Sequence, residues 1–208
     1  MVRKTKEDAE LTKRRIMDAA RAVFLRRGVS RSTLEHIATE ANVTRGAVYW
    51  HFKNKTEIFH AIREQVFLPL FDKVDDVLSH VPDSSKDPLS QIEASLCQTI
   101  QDLDASQTQR EIYEIIMIKC EYVDEFAAVL HQILDNCSSL VEKYELAYQR
   151  AQAKNLIAPK LSAHALALDT HLFFGGLLHM WIKDSKGTQF RHQAIEMIKA
   201  HIDLRRKL

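Results

Sequence analysis

Apolar residues recur at helical spacing along nearly the whole chain. Ile16, Ala19, Ala20, Val23 and Phe24 form an i, i+3, i+4, i+7, i+8 stripe, and Gly28 is placed to end that helix. Glycine occurs only at 28, 46, 175, 176 and 187, and proline only at 69, 82, 88 and 159. Such sparse punctuation, with abundant Leu, Ile and Ala, leaves little room for a sheet and predicts an all-α fold. A long helix should run from about Asn54 toward His80, with others at roughly 88–104, 107–120, 124–153, 162–183 and 188–205. That makes about nine helices, in a small N-terminal domain (1–60) and a larger helical bundle (61–208). The clearest loop is VPDSSKDP at 81–88, where Asp87-Pro88 opens the next helix. Pro69 removes the hydrogen bond to the Gln65 carbonyl and should kink or break the long helix. Both a fixed kink and a moving hinge are open there. No internal repeat or low-complexity tract is visible.

The most informative segment is SRSTLEHIATEANVTRGAVYWHFKNK, from Ser30 to Lys55. It reads as two short helices around a tight turn, the layout of a helix-turn-helix whose second helix enters the major groove of DNA. Ser32 and Glu35 fit a capping box, which predicts a helix start there with Leu34, Ile37 and Ala38 facing inward. Asn42 stands at the sharp turn, where Asn tolerates left-handed backbone. Thr44 can cap the second helix, whose free amides are suited to a phosphate. Arg45 at the leading end has the reach and fork geometry for guanine O6 and N7. Gly46 lets backbone approach a duplex closely. Val48 and Phe52 supply the inward face, and Asn54 with Glu57 repeats the capping box, leaving Lys55 with phosphate reach.

These residues at this spacing resemble the DNA-binding domain of the TetR family of bacterial regulators, over about Thr5 to Arg63. RKTKEDAELTKRRIMDAA, TRGAVYWHFKNK and IIMIKCEYVDE are similar to the AcrR-like and TtgR-like subgroup, which represses multidrug efflux operons. The resemblance is dense over the first third and thin beyond it. It implies that Thr44, Tyr49, His51 and Lys55 contact phosphates, while Arg45 and Gly46 face bases. With Ser32 and Thr33, these make the expected DNA-binding set, on a motif spanning about 33–52. Asn42 departs from the family, which usually has Gly there.

Charge agrees with this division. Residues 1–60 hold 13 Lys/Arg against 7 Asp/Glu, a net of +6, whereas 61–208 carry −5. A basic head on an acidic body suits a phosphate-binding module whose partner domain avoids DNA. Arg3, Lys4 and Lys6 form a basic arm (1–9) able to follow the DNA backbone. The N-terminus is charged and lacks the apolar stretch of a signal peptide, and no run approaches a membrane span, so a cytoplasmic location without membrane partners is expected. Cys97, Cys120 and Cys137 are widely spaced in apolar patterns and read as reduced core residues. The ten His show no metal-ligand spacing. No Gly-rich phosphate loop or nucleophile elbow is present, so neither an enzyme nor a cofactor is expected.

The body is expected to bind a small molecule. Over 162–183, His171, Phe174 and Leu178 share one face, while Leu166, Thr170, Phe173, Leu177 and Trp181 follow another. The resemblance implies a pocket between middle helices, with Ser95, Leu96, Thr99, Tyr113, Ile116, Met117, Tyr144, His171, Phe174, Gly175 and Leu178 as candidates. Aromatic and Met walls with a few polar groups suit planar, largely apolar inducers such as flavonoids, phenolics or antibiotics. Tyr113 and Met117 stand where relatives tend to carry Asn and His, and Gly175 where one carries Asp, so specific hydrogen bonds do not transfer. One short helix reads few base pairs, so a dimer on a pseudo-palindromic operator is expected. The last two long helices, 162–183 and 188–205, are the expected interface, the second offering Phe190, Ala194, Met197, Ile198 and Ile202. The resulting expectation is a homodimeric, ligand-released repressor of an efflux operon. A TetR-type regulator of a catabolic or lipid operon, or an activator, is the alternative.

Overall fold

The structure is a computed structural model, and it describes residues 6–78, 87–157 and 162–206. Its α-helices are α1 (Lys6–Arg27), α2 (Leu34–Glu40), α3 (Arg45–His51), α4 (Lys55–Leu78), α5 (Pro88–Ala105), α6 (Gln107–Glu114), α7 (Ala127–Ala153), α8 (Ala163–Lys183) and α9 (Ala194–Asp203). A π-helical turn, Ile115–Lys119, continues α6, and 3-10 turns Asp124–Phe126 and Arg191–Gln193 precede α7 and α9. Among the described residues the only β pairing is an isolated bridge between Ile157 and Arg206. The all-α expectation holds. Arg3 and Lys4 of the basic arm, most of the 81–88 loop, Pro82 and Pro159 lie outside the described residues.

The chain divides into two compact units. The first joins residues up to Phe67 with Thr108–Ala128, and the second joins Leu68–Gln107 with the chain from Val129 onward. The head therefore runs past the boundary expected near residue 60 and includes 108–128. Its core is built from Ile16, Val23, Phe24, Ile37, Val48, Ile58, Phe59, Ile112 and Ile115, all almost fully buried. The Phe59 ring meets Phe24 at 6.4 Å, Tyr122 at 6.5 Å and Phe126 edge-on at 5.4 Å. The expected helix 107–120 divides because its second half, Ile115–Lys119, is π-wound. The Lys119 carbonyl at its end accepts the Val29 N–H at 2.9 Å, tying this segment to the turn after α1.

In the second unit α5 packs along α9. Trp181 and Tyr148 are its largest buried side chains, and the Tyr148 hydroxyl meets Thr170 Oγ1 at 2.7 Å. By length and mean hydropathy α8 could cross a membrane, more than the sequence reading allowed. Here it buries Leu166, Ala167, Thr170, Leu177, Leu178, Trp181 and Ile182 within the protein. α9 begins later than the expected 188. Asp184 accepts backbone N–H bonds from Thr188, Gln189, Phe190 and Arg191, which fixes a turn there instead of a helix. α4 continues unbroken through Pro69, and the boundary between units falls just before it, between Phe67 and Leu68.

Candidate nucleic-acid interface

The geometry of the two short helices follows from their caps. Thr33, not Ser32, starts α2: its Oγ1 accepts the His36 N–H at 3.2 Å. The expected N-cap at Ser32 is therefore displaced by one residue, and Thr33 caps without a capping box, since His36 stands three residues on. The Ser32 hydroxyl donates instead to the Gly28 carbonyl at 2.7 Å, and only 3% of the residue is exposed. Asn42 adopts φ 51, the left-handed turn its side chain tolerates. Arg15 donates to the Ala41 carbonyl at 2.8 Å and braces that turn from α1. Thr44 caps α3 by accepting the Ala47 N–H at 3.1 Å, and Val48 and Phe52 anchor its inner side.

The opposite side of α3 faces solvent. Thr44, Arg45, Gly46, Tyr49 and Trp50 are all exposed, Trp50 by 72%. Arg45 Nη2 lies 3.1 Å from the Tyr49 hydroxyl and its guanidinium stands 5.4 Å from that ring, so Tyr49 holds the cation at the leading end of the helix. His51 is half-buried, and Trp50 packs edge-on against it at 4.5 Å. Thr33 is also exposed, its hydroxyl hydrogen still free to be donated after capping. Trp50 was missed in the sequence, although the signal was there. Two residues from inward Val48, it lies about 200° around the helix and must point outward.

Ser32 and Lys55 stand differently from the rest of the expected set. Ser32 is buried and engaged. Lys55 has only 12% of its side chain exposed, donates to the Ser30 carbonyl at 3.2 Å, and pairs with Glu125 at 3.1 Å. Its ammonium also lies 5.4 Å from the Phe126 ring. Lys55 thus binds the 124–126 turn to the head, a task no short-range pattern reveals. The second cap behaves as expected: Asn54 Oδ1 accepts the Glu57 N–H at 2.8 Å.

A short helix exposing Thr, Arg, Gly, Tyr and Trp on one side, and buried on the other, is built to enter a groove. Comparison with known proteins agrees. Residues 16–62 match the profile of the bacterial regulatory proteins of the tetR family. Residues 87–206 match the MAATS-type transcriptional repressor C-terminal region. The chain belongs to the TetR family. It is 33% identical over 187 residues to the HTH-type transcriptional regulator TtgR of Pseudomonas putida, covering 88% of this chain and 85% of the relative. NalD, the secondary repressor of the MexAB-OprM multidrug efflux pump in Pseudomonas aeruginosa, superposes with TM-score 0.85 at 29% identity, over 97% of this chain and 99% of NalD. SmeT in complex with triclosan gives TM-score 0.76 at 28% identity, over 91% and 90%. As a TetR-family protein the chain is a transcriptional repressor, not an enzyme.

The residues expected to line a ligand pocket fall in both units of this TetR-family chain. Tyr113, Ile116 and Met117 belong to the head unit, where Tyr113 stacks on Phe67 at 6.3 Å. Ser95, Leu96, Thr99, Tyr144, His171, Phe174, Gly175 and Leu178 belong to the body. Of these, Ser95, Leu96, Tyr144 and Leu178 are buried, and Thr99, His171, Phe174 and Gly175 are half-buried. Burial raises the Tyr144 phenol far above its ordinary range, while a hydrogen bond from Ser95 opposes it. Burial also lowers the His171 imidazole below its ordinary value. Ser95 and Thr99 line a cavity of about 320 Å³ between α4 and α5, together with Leu70, Lys73, Val74, Asp76, Val77 and Gln98. No Cβ clash requires glycine at Gly175 or Gly176, since an added methyl at either meets nothing within 4 Å.

The expected dimer residues also divide. Ala194, Ile198 and Ile202 are fully buried within the chain itself, because α9 turns that stripe toward its own unit. Met197 is 41% exposed and Phe190 is half-buried. The outward apolar residues are others: Leu168, Leu172 and Met180 on α8, and Leu204 after α9.

Proposed function

We propose that this repressor acts as a homodimer on a pseudo-palindromic operator and controls a multidrug efflux operon in the cytoplasm. A small, planar, largely apolar aromatic compound releases it. The observation that carries this reading is the exposed tip of α3, with Arg45 set by Tyr49 to face bases and Gly46 allowing close approach. Thr33, Thr44, Tyr49 and His51 then meet phosphates on either side. The efflux role is supported by likeness to NalD, and inducer release by likeness to the triclosan complex of SmeT. Dimerisation is supported by the exposed apolar stripe Leu168, Leu172, Met180 and Met197 on α8 and α9. An inducer acts by binding more tightly to the arrangement in which the two heads no longer match successive grooves.

The test is a gel shift on the DNA upstream of the protein's own gene, repeated with planar phenolics and cationic drugs. A retarded band released by members of the phenolic panel supports the reading. No shift, or a shift that every compound leaves intact, overturns the corresponding half of it.

A further inference from the structure

The outward face of α8 has a pattern that packing within the chain does not explain. Asp169, Leu172, Gly176, Met180 and Lys183 are all exposed and belong to the second unit. At about 100° per residue they fall within about 80° of arc on one side of the helix. Ala167, Leu178 and Trp181, on the opposite side, are buried. Glycine weakens a helix relative to alanine, and a Cβ added at Gly176 meets nothing within 4 Å. The chain's own contacts therefore give no reason for glycine at the centre of this face. A second backbone arriving from outside does, because glycine brings no side chain to hold it off.

The positions are symmetrical about Gly176. Leu172 and Met180 stand four residues before and after it, and Asp169 and Lys183 seven before and after. In a two-fold contact residue i meets j while j meets i. An axis through Gly176, perpendicular to α8, makes two copies antiparallel and sets each glycine on its counterpart. Leu172 then lies against the partner's Met180, and Asp169 turns toward the partner's Lys183, each pair formed twice. A parallel arrangement would oppose aspartate to aspartate and lysine to lysine, which is unfavourable. Asp169 already accepts from Arg205 within the chain, and its carboxylate has lone pairs left for a second cation.

We propose that α8 meets a second copy of this chain antiparallel and crosses it at Gly176, with Asp169 and the partner's Lys183 fixing the register. This rests on the homodimer proposed above and adds where the two copies touch and in which direction they run.

The test uses the full-length protein in two experiments. In sedimentation equilibrium the wild type should be a dimer, and Gly176→Leu should raise the dissociation constant at least about tenfold while circular dichroism shows undiminished helix, because the added side chain has room within its own chain. The register is read by oxidation with copper phenanthroline. Leu172→Cys alone, or Met180→Cys alone, should give no more linked chains than the wild type, since each stands about 12 Å along the axis from its own counterpart, too far for a disulfide. A one-to-one mixture of the two variants should link, because Cys at one position then faces Cys at the other. A monomeric wild type overturns the homodimer and the crossing together. A dimer that folded Gly176→Leu leaves as tight as the wild type, a mixture that does not link, or a single variant that links to itself overturns the crossing alone.

Discussion

Replacing Lys55 by Met separates two roles that the motif and the structure assign to the same side chain. The family pattern puts this lysine on a phosphate, whereas here it is committed inside the head. Its ammonium donates to the Ser30 carbonyl, pairs with Glu125 and lies by Phe126. Glu125 is 54% exposed, so the pair contributes only about 0.5 kcal/mol. The charged hydrogen bond to a carbonyl contributes about 1.5 kcal/mol, and the proximity to the ring about 0.5 kcal/mol. Methionine keeps most of the apolar stem. The expected loss is therefore about 2.5 kcal/mol, which for a chain of this size lowers Tm by roughly 5–10 °C. Operator affinity falls modestly because the 119–126 segment loosens against the head. The decisive assay is the salt dependence of operator binding. If Lys55 neutralised a phosphate in each of two heads, its removal would reduce the slope of log K against log salt by about 1.8, since each neutralised phosphate contributes about 0.9. A structural clamp leaves that slope unchanged. A slope reduced by nearly that amount, with Tm unaltered, would refute the clamp.

Further outcomes test the other parts of the reading. Arg45→Ala should cost about 1–3 kcal/mol of operator binding and relax preference at one base position, measured by gel shift across operator variants. Leu172→Glu, at a residue 63% exposed on α8, should shift the sedimentation coefficient to that of the monomer without lowering helix content by circular dichroism. Asp184 gives an acid-sensitive signature. Four backbone N–H bonds, the one from Phe190 strongest, hold its carboxyl at about 2 against an ordinary value of 3.8. Because the folded value is the lower, this stabilisation is present in full above the ordinary value and is lost as pH falls toward about 2. Asp184→Asn should lower Tm at pH 7 and flatten the fall in Tm between pH 4 and about 2. An unchanged acid limb in melts of that variant refutes the assignment.

Most of the fold was legible because its signals are local. The stripe from Ile16 to Phe24, the sparse glycine and proline, and the caps at Thr44, Asn54 and Asp87 each act within one or two turns. Where the reading slipped, a longer-range partner had intervened. Ser32 and Thr33 are both competent caps, and the choice fell to Thr33 because the Gly28 carbonyl took the Ser32 hydroxyl. The start of α9 moved because one carboxylate, Asp184, gathers the amides of residues 188–191. Periodicity contains neither fact.

The candidate site divides along the same line. Arg45, Gly46, Tyr49 and Trp50 are exposed because Val48 and Phe52 fix the rotation of α3, and that rotation follows from spacing alone. Lys55 differs because its partners, Glu125 and Phe126, lie some 70 residues further on and reach it only through the fold. The apolar face of α9 shows a related limit of periodicity. Ala194, Ile198 and Ile202 make a good apolar face, but a face says only that something covers it, and here that something is the chain's own α5 and α8. What remains for a partner is the residue that breaks the amphipathic pattern: Leu172 on the side of α8 that its own unit leaves bare. An interface is therefore better sought among apolar residues left over after the monomer's core is accounted for than among the strongest apolar stripes.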